Sequence, residues 1–207
     1  MFTFSAVAAD KQTKKAFKQF YGNISNMELE IAGTGHGHTR VDLPGLEGQT
    51  AWCFGGIPMY DKKSQLLVGY ANDCFIGVAA DEVGGLSVNP GLTFLDFFAP
   101  NGEVYTVTVS GPITAQPVTV PTQSAWGLNV THITGASSKV EQGNNTCVGG
   151  SGPFDELSCV SRISGMVDMS NLNPENIEGS TIGFSCFFSI ENIKLQRWAV
   201  NNAAKGL

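Results

Sequence analysis

After residue 26 the hydrophobic period of the chain changes from helical to alternating, and it stays so almost to the end. Met27, Leu29 and Ile31 alternate with Glu28 and Glu30, the pattern of a strand with one buried face. Similar runs cover Ala51–Met59, Gln65–Gly77, Leu92–Ala99, Glu103–Gly111, Trp126–Thr134, Cys159–Met169 and Ile182–Ile193. Turn residues separate them: Pro58 with Asp61-Lys62, Gly84-Gly85, Pro100-Asn101-Gly102, Gly149-Gly150 and Asn173-Pro174. Asn101-Gly102 between two strong strands is the clearest hairpin signal in the chain. No helical pattern of useful length lies between the strands, which excludes βαβ units and a parallel sheet. The expectation is an all-β fold: an eight-stranded antiparallel β-barrel, because closure removes both exposed edges. A barrel of about eight strands has room for packed side chains or for one small ligand.

The barrel domain is expected over residues 27–195, between an N-terminal segment, 1–26, and a tail, 196–207. A short helix is predicted over 10–21, with Asp10 as N-cap and Phe17, Phe20 and Tyr21 on one face. Lys14, Lys15 and Lys18 then face solvent. Residues 112–125, with three prolines, read as an extended loop or edge, and 137–158 as a second long loop.

Charge narrows the partners. The 12 Lys and Arg against 18 Asp and Glu leave a net charge of −6, which repels a phosphate backbone, so no nucleic acid is expected. No window offers the ~20 consecutive apolar residues of a membrane-spanning helix. The five cysteines form no C-x-x-C pair, which removes the usual spacing of structural zinc and thioredoxin chemistry. Cys147 and Cys159 flank a Gly-rich stretch and are placed to close it as a disulfide; the other reading is that the cysteines are small buried hydrophobes. An odd count leaves at least one thiol free or intermolecular. The opening MFTFSAVAA resembles the end of a secretory signal, or else is an ordinary N-terminus. With the sequons at Asn23, Asn129 and Asn144 it favours a secreted or exported protein.

Several polar residues interrupt apolar faces. Asp96 alternates with Phe94 and Phe98; between two Phe, a carboxyl is desolvated and suited to general acid work, unless this face is the outer one. His132 shares a face with Val130, Leu128 and Trp126, as a proton carrier or as a satisfied core histidine. Arg162, between Val160 and Ser164, is placed to anchor an oxyanion or to form a structural ion pair with Asp168 or Asp73. Asp73 shares a face with Gly69 and Ala71, small neighbours that leave room for a ligand, while Tyr70 falls on the opposite face. Tyr60 and Tyr105 are further hydroxyl donors. His36 and His38 point to one side if extended, but the cupin spacing around them is missing, so no metal is expected. Gly149-Gly150-Ser151-Gly152 has neither the spacing of a nucleophile elbow nor the lysine and helix of a phosphate loop.

The stretch GGSGPFDELSCVSRISGMVDM, residues 149–169, resembles the Gly-rich segment that recurs in allene-oxide-cyclase-like barrels and dirigent proteins. IPMYDKKSQLLVGYANDCF resembles the first hairpin of that superfamily and LTFLDFFAPNGEVYTVTVSGPIT its central hairpin, with THITGA approaching the Gly-rich turn. The resemblance spans roughly residues 51–190. It implies an eight-stranded barrel, dimeric or trimeric, with an axial pocket and no cofactor. It also implies ring closure in an unstable epoxide, coupling of phenoxy radicals, or spiro-ring formation in polyketides. The residues and the resemblance together point to a cofactor-free cyclase, isomerase or dirigent-type protein. It would enclose a hydrophobic secondary-metabolite substrate, with Asp96, Asp73, Arg162 and His132 as the polar groups. Two alternatives stand beside it: a carrier of a hydrophobic small molecule, and a structural barrel filled by Phe94, Phe98, Phe184 and Phe188. Convergent polar groups in an open cavity mark the enzyme.

Overall fold

The computed structural model describes residues 26–41, 43, 47–76, 79–80, 86–99, 102–117, 130–136, 146–155 and 157–194. The helix predicted over 10–21, the signal-like N-terminus and the three sequon asparagines lie outside the described residues. Ten strands are described: β1 Met27–Arg40, β2 Ala51–Asp61, β3 Leu67–Phe75, β4 Ala79–Ala80, β5 Leu86–Phe98, β6 Val104–Pro117, β7 Val130–Ala136, β8 Cys147–Gly150, β9 Ser158–Asp168 and β10 Thr181–Lys194. Every pairing between them is antiparallel. Eight form the row β5-β3-β2-β1-β10-β9-β7-β6, and the β5–β6 pairing closes it into a ring. These eight are the eight runs read from the alternation. β4 pairs beside β5, and β8 occupies the stretch of β6 that β7 does not reach.

Alternation decides which side chains fill the ring. Met27, Leu29 and Ile31 of β1, Leu95 and Phe97 of β5, Ile163 and Val167 of β9, and the even positions Ile182–Ile190 of β10 form one apolar core. Burial of this apolar surface is the main force holding the ring closed. β2 keeps its aromatic and aliphatic side chains on this side through a bulge. Its register shifts between Phe54 and Ile57, where Gly56 takes φ +76°, a conformation that glycine adopts without strain.

Three sequence expectations are corrected. β1 continues past Ile31 to Arg40, because the Gly-rich run GTGHGH stays paired with both β2 and β10 through a register shift rather than turning. The stretch 112–125 begins as strand, since β6 runs to Pro117 in register with β7. The loop 137–158 holds β8 and a 3₁₀ turn, Gly152–Phe154, which delivers Phe154 into the ring. Phe154 is fully buried, 5.5 Å from the Phe97 ring, and stops one end of the barrel. At the Asn-Gly hairpin the Gly102 N–H donates to Ala99 O at 3.0 Å and the Ala99 N–H to Glu103 O at 2.8 Å.

Two disulfides are present. Cys147–Cys159 ties the start of β8 to β9 as the spacing allowed. Cys53–Cys74, not anticipated, joins directly opposed residues of β2 and β3. It lies in a second, smaller apolar cluster on the outer face with Leu43, Ala51, Leu92 and Phe94. Leu43, from the β1–β2 connection, is fully buried in this cluster. Cys186 is the free thiol, and it is buried.

Candidate functional site inside the barrel

The lower and middle barrel is packed solid: Ile57, Met59, Leu95, Phe97, Val107 and Phe154 have essentially no exposure. Accessible surface returns among inward residues at the other end, where β1, β3, β6 and β9 finish and β2, β5, β7 and β10 begin. There Trp52, Asp73, Phe75 and Gly165 are half-buried. Trp52 pairs across the ladder with Phe75, and Phe54 with Asp73. The Trp52 and Phe75 rings meet edge to face at 6.1 Å, and Phe54 stacks on Phe75 at 5.9 Å. Part of this end is roofed by the 3₁₀ turn Ile177–Gly179, with Ile177 buried and the Gly37 N–H donating to Ser180 O at 2.9 Å.

Asp73 sits two positions beyond Ala71 on the inner face of β3, as its sequence neighbours implied. Its register partners are Phe54 on one side and Thr93 on the other. The Thr93 hydroxyl donates to Asp73 Oδ1 at 2.7 Å, and Thr93 is itself buried. Protein surrounds the carboxyl on all sides, yet the residue keeps accessible surface. Burial raises the Asp73 pKa from 3.8 to about 6, against the lowering effect of the Thr93 hydrogen bond.

Cys186 projects from β10 into the same interior. Gly165 of β9, its register partner, makes room for it: a Cβ there would come within 2.8 Å of the sulfur. Burial first, and the nearby Asp73 charge second, push the thiol up to about 12, so it stays neutral. Its Sγ donates to Met166 O at 3.7 Å. Among the described residues this part of the wall thus brings together the Asp73 carboxyl, the Thr93 hydroxyl and the neutral Cys186 thiol, beside Trp52, Phe54 and Phe75.

The four candidate residues do not converge. Asp96 lies on the outer face, between inward Leu95 and Phe97. It accepts from Thr106 Oγ1 at 2.6 Å and from Asn72 Nδ2 at 3.0 Å. Asn72 Oδ1 in turn accepts from the Gly56 N–H at the β2 bulge, at 3.3 Å. Arg162 is also outside, exposed, with its Nε 3.7 Å from Glu191 Oε1. Its partner is thus neither Asp168 nor Asp73. His132 belongs to β7, in register with Met166 and Gln116; its side chain lies outside the described residues. His36 and His38 share the outer side of β1, with His38 Nδ1 3.3 Å from His36 O. Among the described residues no three His, Cys, Asp or Glu side chains gather as a metal site. Tyr70 is exposed on the outer face, edge-on to Phe98 at 5.5 Å. Phe184 and Phe188 enter the core, while Phe94 belongs to the outer cluster, so the four phenylalanines do not meet at the axis. Thr93, Cys186, Trp52, Phe54 and Phe75 were not singled out as site residues. Thr93 was findable, as the position in phase with Leu95 and Phe97 that carries a hydroxyl.

Among the described residues, fold and site describe a closed antiparallel β-barrel, tightly packed toward one end, with the Asp73 carboxyl set in the wall toward the other. A dirigent protein that is a pterocarpan synthase is similar in structure, over 80% of this chain and 85% of its own, at 15% identity and a TM-score of 0.35. At that level no residue role passes from it to this chain; the architecture rests on the strand pairings above. No family model and no curated protein matches the sequence.

Proposed function

We propose that the protein is a cofactor-independent cyclase, isomerase or dirigent-type protein. It takes a hydrophobic small molecule into the open end of the barrel and steers its ring closure or coupling. The observation that carries this reading is Asp73: an ionisable carboxyl on the inner face of the barrel, hydrogen-bonded to Thr93, on the same face as Phe75, whose ring meets that of Trp52. A carboxyl near pKa 6 both accepts and returns protons close to neutral pH, the property of a general acid–base group. Trp52, Phe54 and Phe75 would hold the apolar skeleton, and confinement of reactive conformers contributes up to ~7–11 kcal/mol to such reactions. Asp96 and Arg162 then act on the outer wall. Asp96 ties β3, β5 and β6 together beneath the site through Asn72 and Thr106.

Incubation with an apolar extract of the source organism, read by chromatography and mass spectrometry, tests the reading. Wild-type protein converts a component to an isomer or coupled product, and Asp73→Asn binds the same component without converting it. Conversion by both variants removes Asp73 from the chemistry. The outward positions of Asp96 and Arg162 favour one second reading, a carrier with a sparsely polar cavity. In that case both variants retain one unchanged compound. Two disulfides accord with export to an oxidising compartment. Assembly into a dimer or trimer is part of the same reading; a species of one-chain mass in sedimentation at high concentration refutes it. No helix among the described residues is long and apolar enough to cross a membrane.

A further inference from the structure

Among the described residues no Lys, Arg or His side chain pairs with Asp73; its neighbours are Thr93, Phe54 and the neutral Cys186 thiol. Beside it on the same face, toward the end of β3, stand Phe75 and its register partner Trp52, their rings edge to face. Burial has already taken most water from the carboxylate, and a ligand entering here would exclude the rest. A neutral apolar molecule would leave that charge desolvated, and an anion would face it directly. A cation offsets the loss and is also attracted to aromatic ring faces. A metal ion does not suit the site, since among the described residues no group of three His, Cys, Asp or Glu side chains gathers there to form a coordination shell. The fitting charge is a large, weakly hydrated one carried on carbon.

We propose that the open end of the barrel recognises organic ammonium ions, a protonated or quaternary amine on an apolar skeleton, with the charge set between the Asp73 carboxylate and the Trp52 and Phe75 rings. This rests on the reading that the barrel end encloses a small molecule, and it names the class. In an enzyme it makes Asp73 the group that holds the amine and exchanges its proton. In a carrier it makes Asp73 the anchor.

The test is calorimetric titration of the full chain, disulfides intact, with benzyltrimethylammonium and with its uncharged carbon isostere, neopentylbenzene. Asp73→Asn and Trp52→Leu are titrated in parallel, their folding checked by circular dichroism. The wild type is expected to bind the ammonium at least 10-fold more tightly than the isostere. Asp73→Asn brings the two to within about 2-fold, and Trp52→Leu weakens the ammonium more than the isostere. Equal or tighter binding of neopentylbenzene by the wild type overturns the proposal and leaves the enclosed-ligand reading standing. Binding of neither probe overturns both. Ammonium binding undiminished in Asp73→Asn places the cation elsewhere and also overturns the proposal.

Discussion

Replacing Asp73 with asparagine should make this protein more stable at neutral pH, and the gain should vanish in acid. The carboxyl titrates at about 6 in the folded chain against 3.8 when solvated, a difference of about two units. At ~1.36 kcal/mol per unit, the ionised carboxylate opposes folding by roughly 3 kcal/mol. The sign follows from proton counting. Between pH 3.8 and about 6 the folded state holds more protons than the unfolded one, so stability falls as pH rises through that window. Below it both states are protonated and the cost is absent; above it both are ionised and the cost is complete. Asparagine keeps an oxygen to accept from the Thr93 hydroxyl and carries no charge, so it retains the hydrogen bond and removes the cost. Urea unfolding of wild type and Asp73→Asn at pH 4, 5, 6, 7 and 8, disulfides intact, measures the effect. The variants should coincide near pH 4 and diverge to ~3 kcal/mol at pH 8. With a urea slope of about 2 kcal/mol/M that is a midpoint difference of ~1.5 M. A difference independent of pH, or a less stable Asp73→Asn at pH 8, would refute the burial argument.

Three other outcomes follow from the same structure. Phe154→Ala should cost about 3–5 kcal/mol in the same assay, because it empties a fully buried ring position against Phe97 that stoppers the barrel. Cys186 should resist iodoacetamide at pH 8 in the folded protein and react only after unfolding, since its thiol is buried and pushed up to about 12; rapid native labelling contradicts this. Converting both Cys53 and Cys74 to serine should lower stability by about 3 kcal/mol, the loop-entropy value for cysteines 21 residues apart, read as the shift in thermal or urea midpoint.

The eight strands and their antiparallel closure were legible because alternation reports which residues share a face, and because turn residues mark the reversals. What alternation does not report is which face is inner. Asp96 and Asp73 both sit in runs with apolar residues on alternate positions, and on β5 both faces are apolar. Phe94 is buried outside the barrel, beneath Leu43, with the Arg40 guanidinium 4.8 Å from its ring centre. An outer apolar cluster of that kind makes an outward carboxylate look enclosed. Arg162 was ambiguous for the opposite reason: its partner Glu191 comes from a strand 29 positions later in sequence, two residues from Ser189, its cross-strand neighbour. The bulge at Gly55-Gly56 was equally invisible, and it is what turns both Phe54 and Ile57 inward.

Asp73 also shows why the site lies where it does. A carboxylate costing roughly 3 kcal/mol at neutral pH is a substantial share of the 5–15 kcal/mol that holds an ordinary domain together. The surrounding wall is built to carry that cost. Cys74, the next residue, is locked to Cys53, and Thr93 opposite is fixed by pairing on both sides, to Asp73 and to Val109. One residue earlier, Asn72 is bound to Asp96 and to the β2 bulge. The chain is thus braced on its outer face at the residues on either side of the one that points inward. Such bracing would be superfluous around a leucine, which would stabilise the barrel by itself. Around a carboxyl that holds a ligand, as proposed above, it would set the geometry of the group before the ligand arrives. The outer network and the inner acid are therefore one device, and Asp96→Ala should reach Asp73 through the sheet: it should weaken ligand binding at the barrel end although Asp96 touches no part of it.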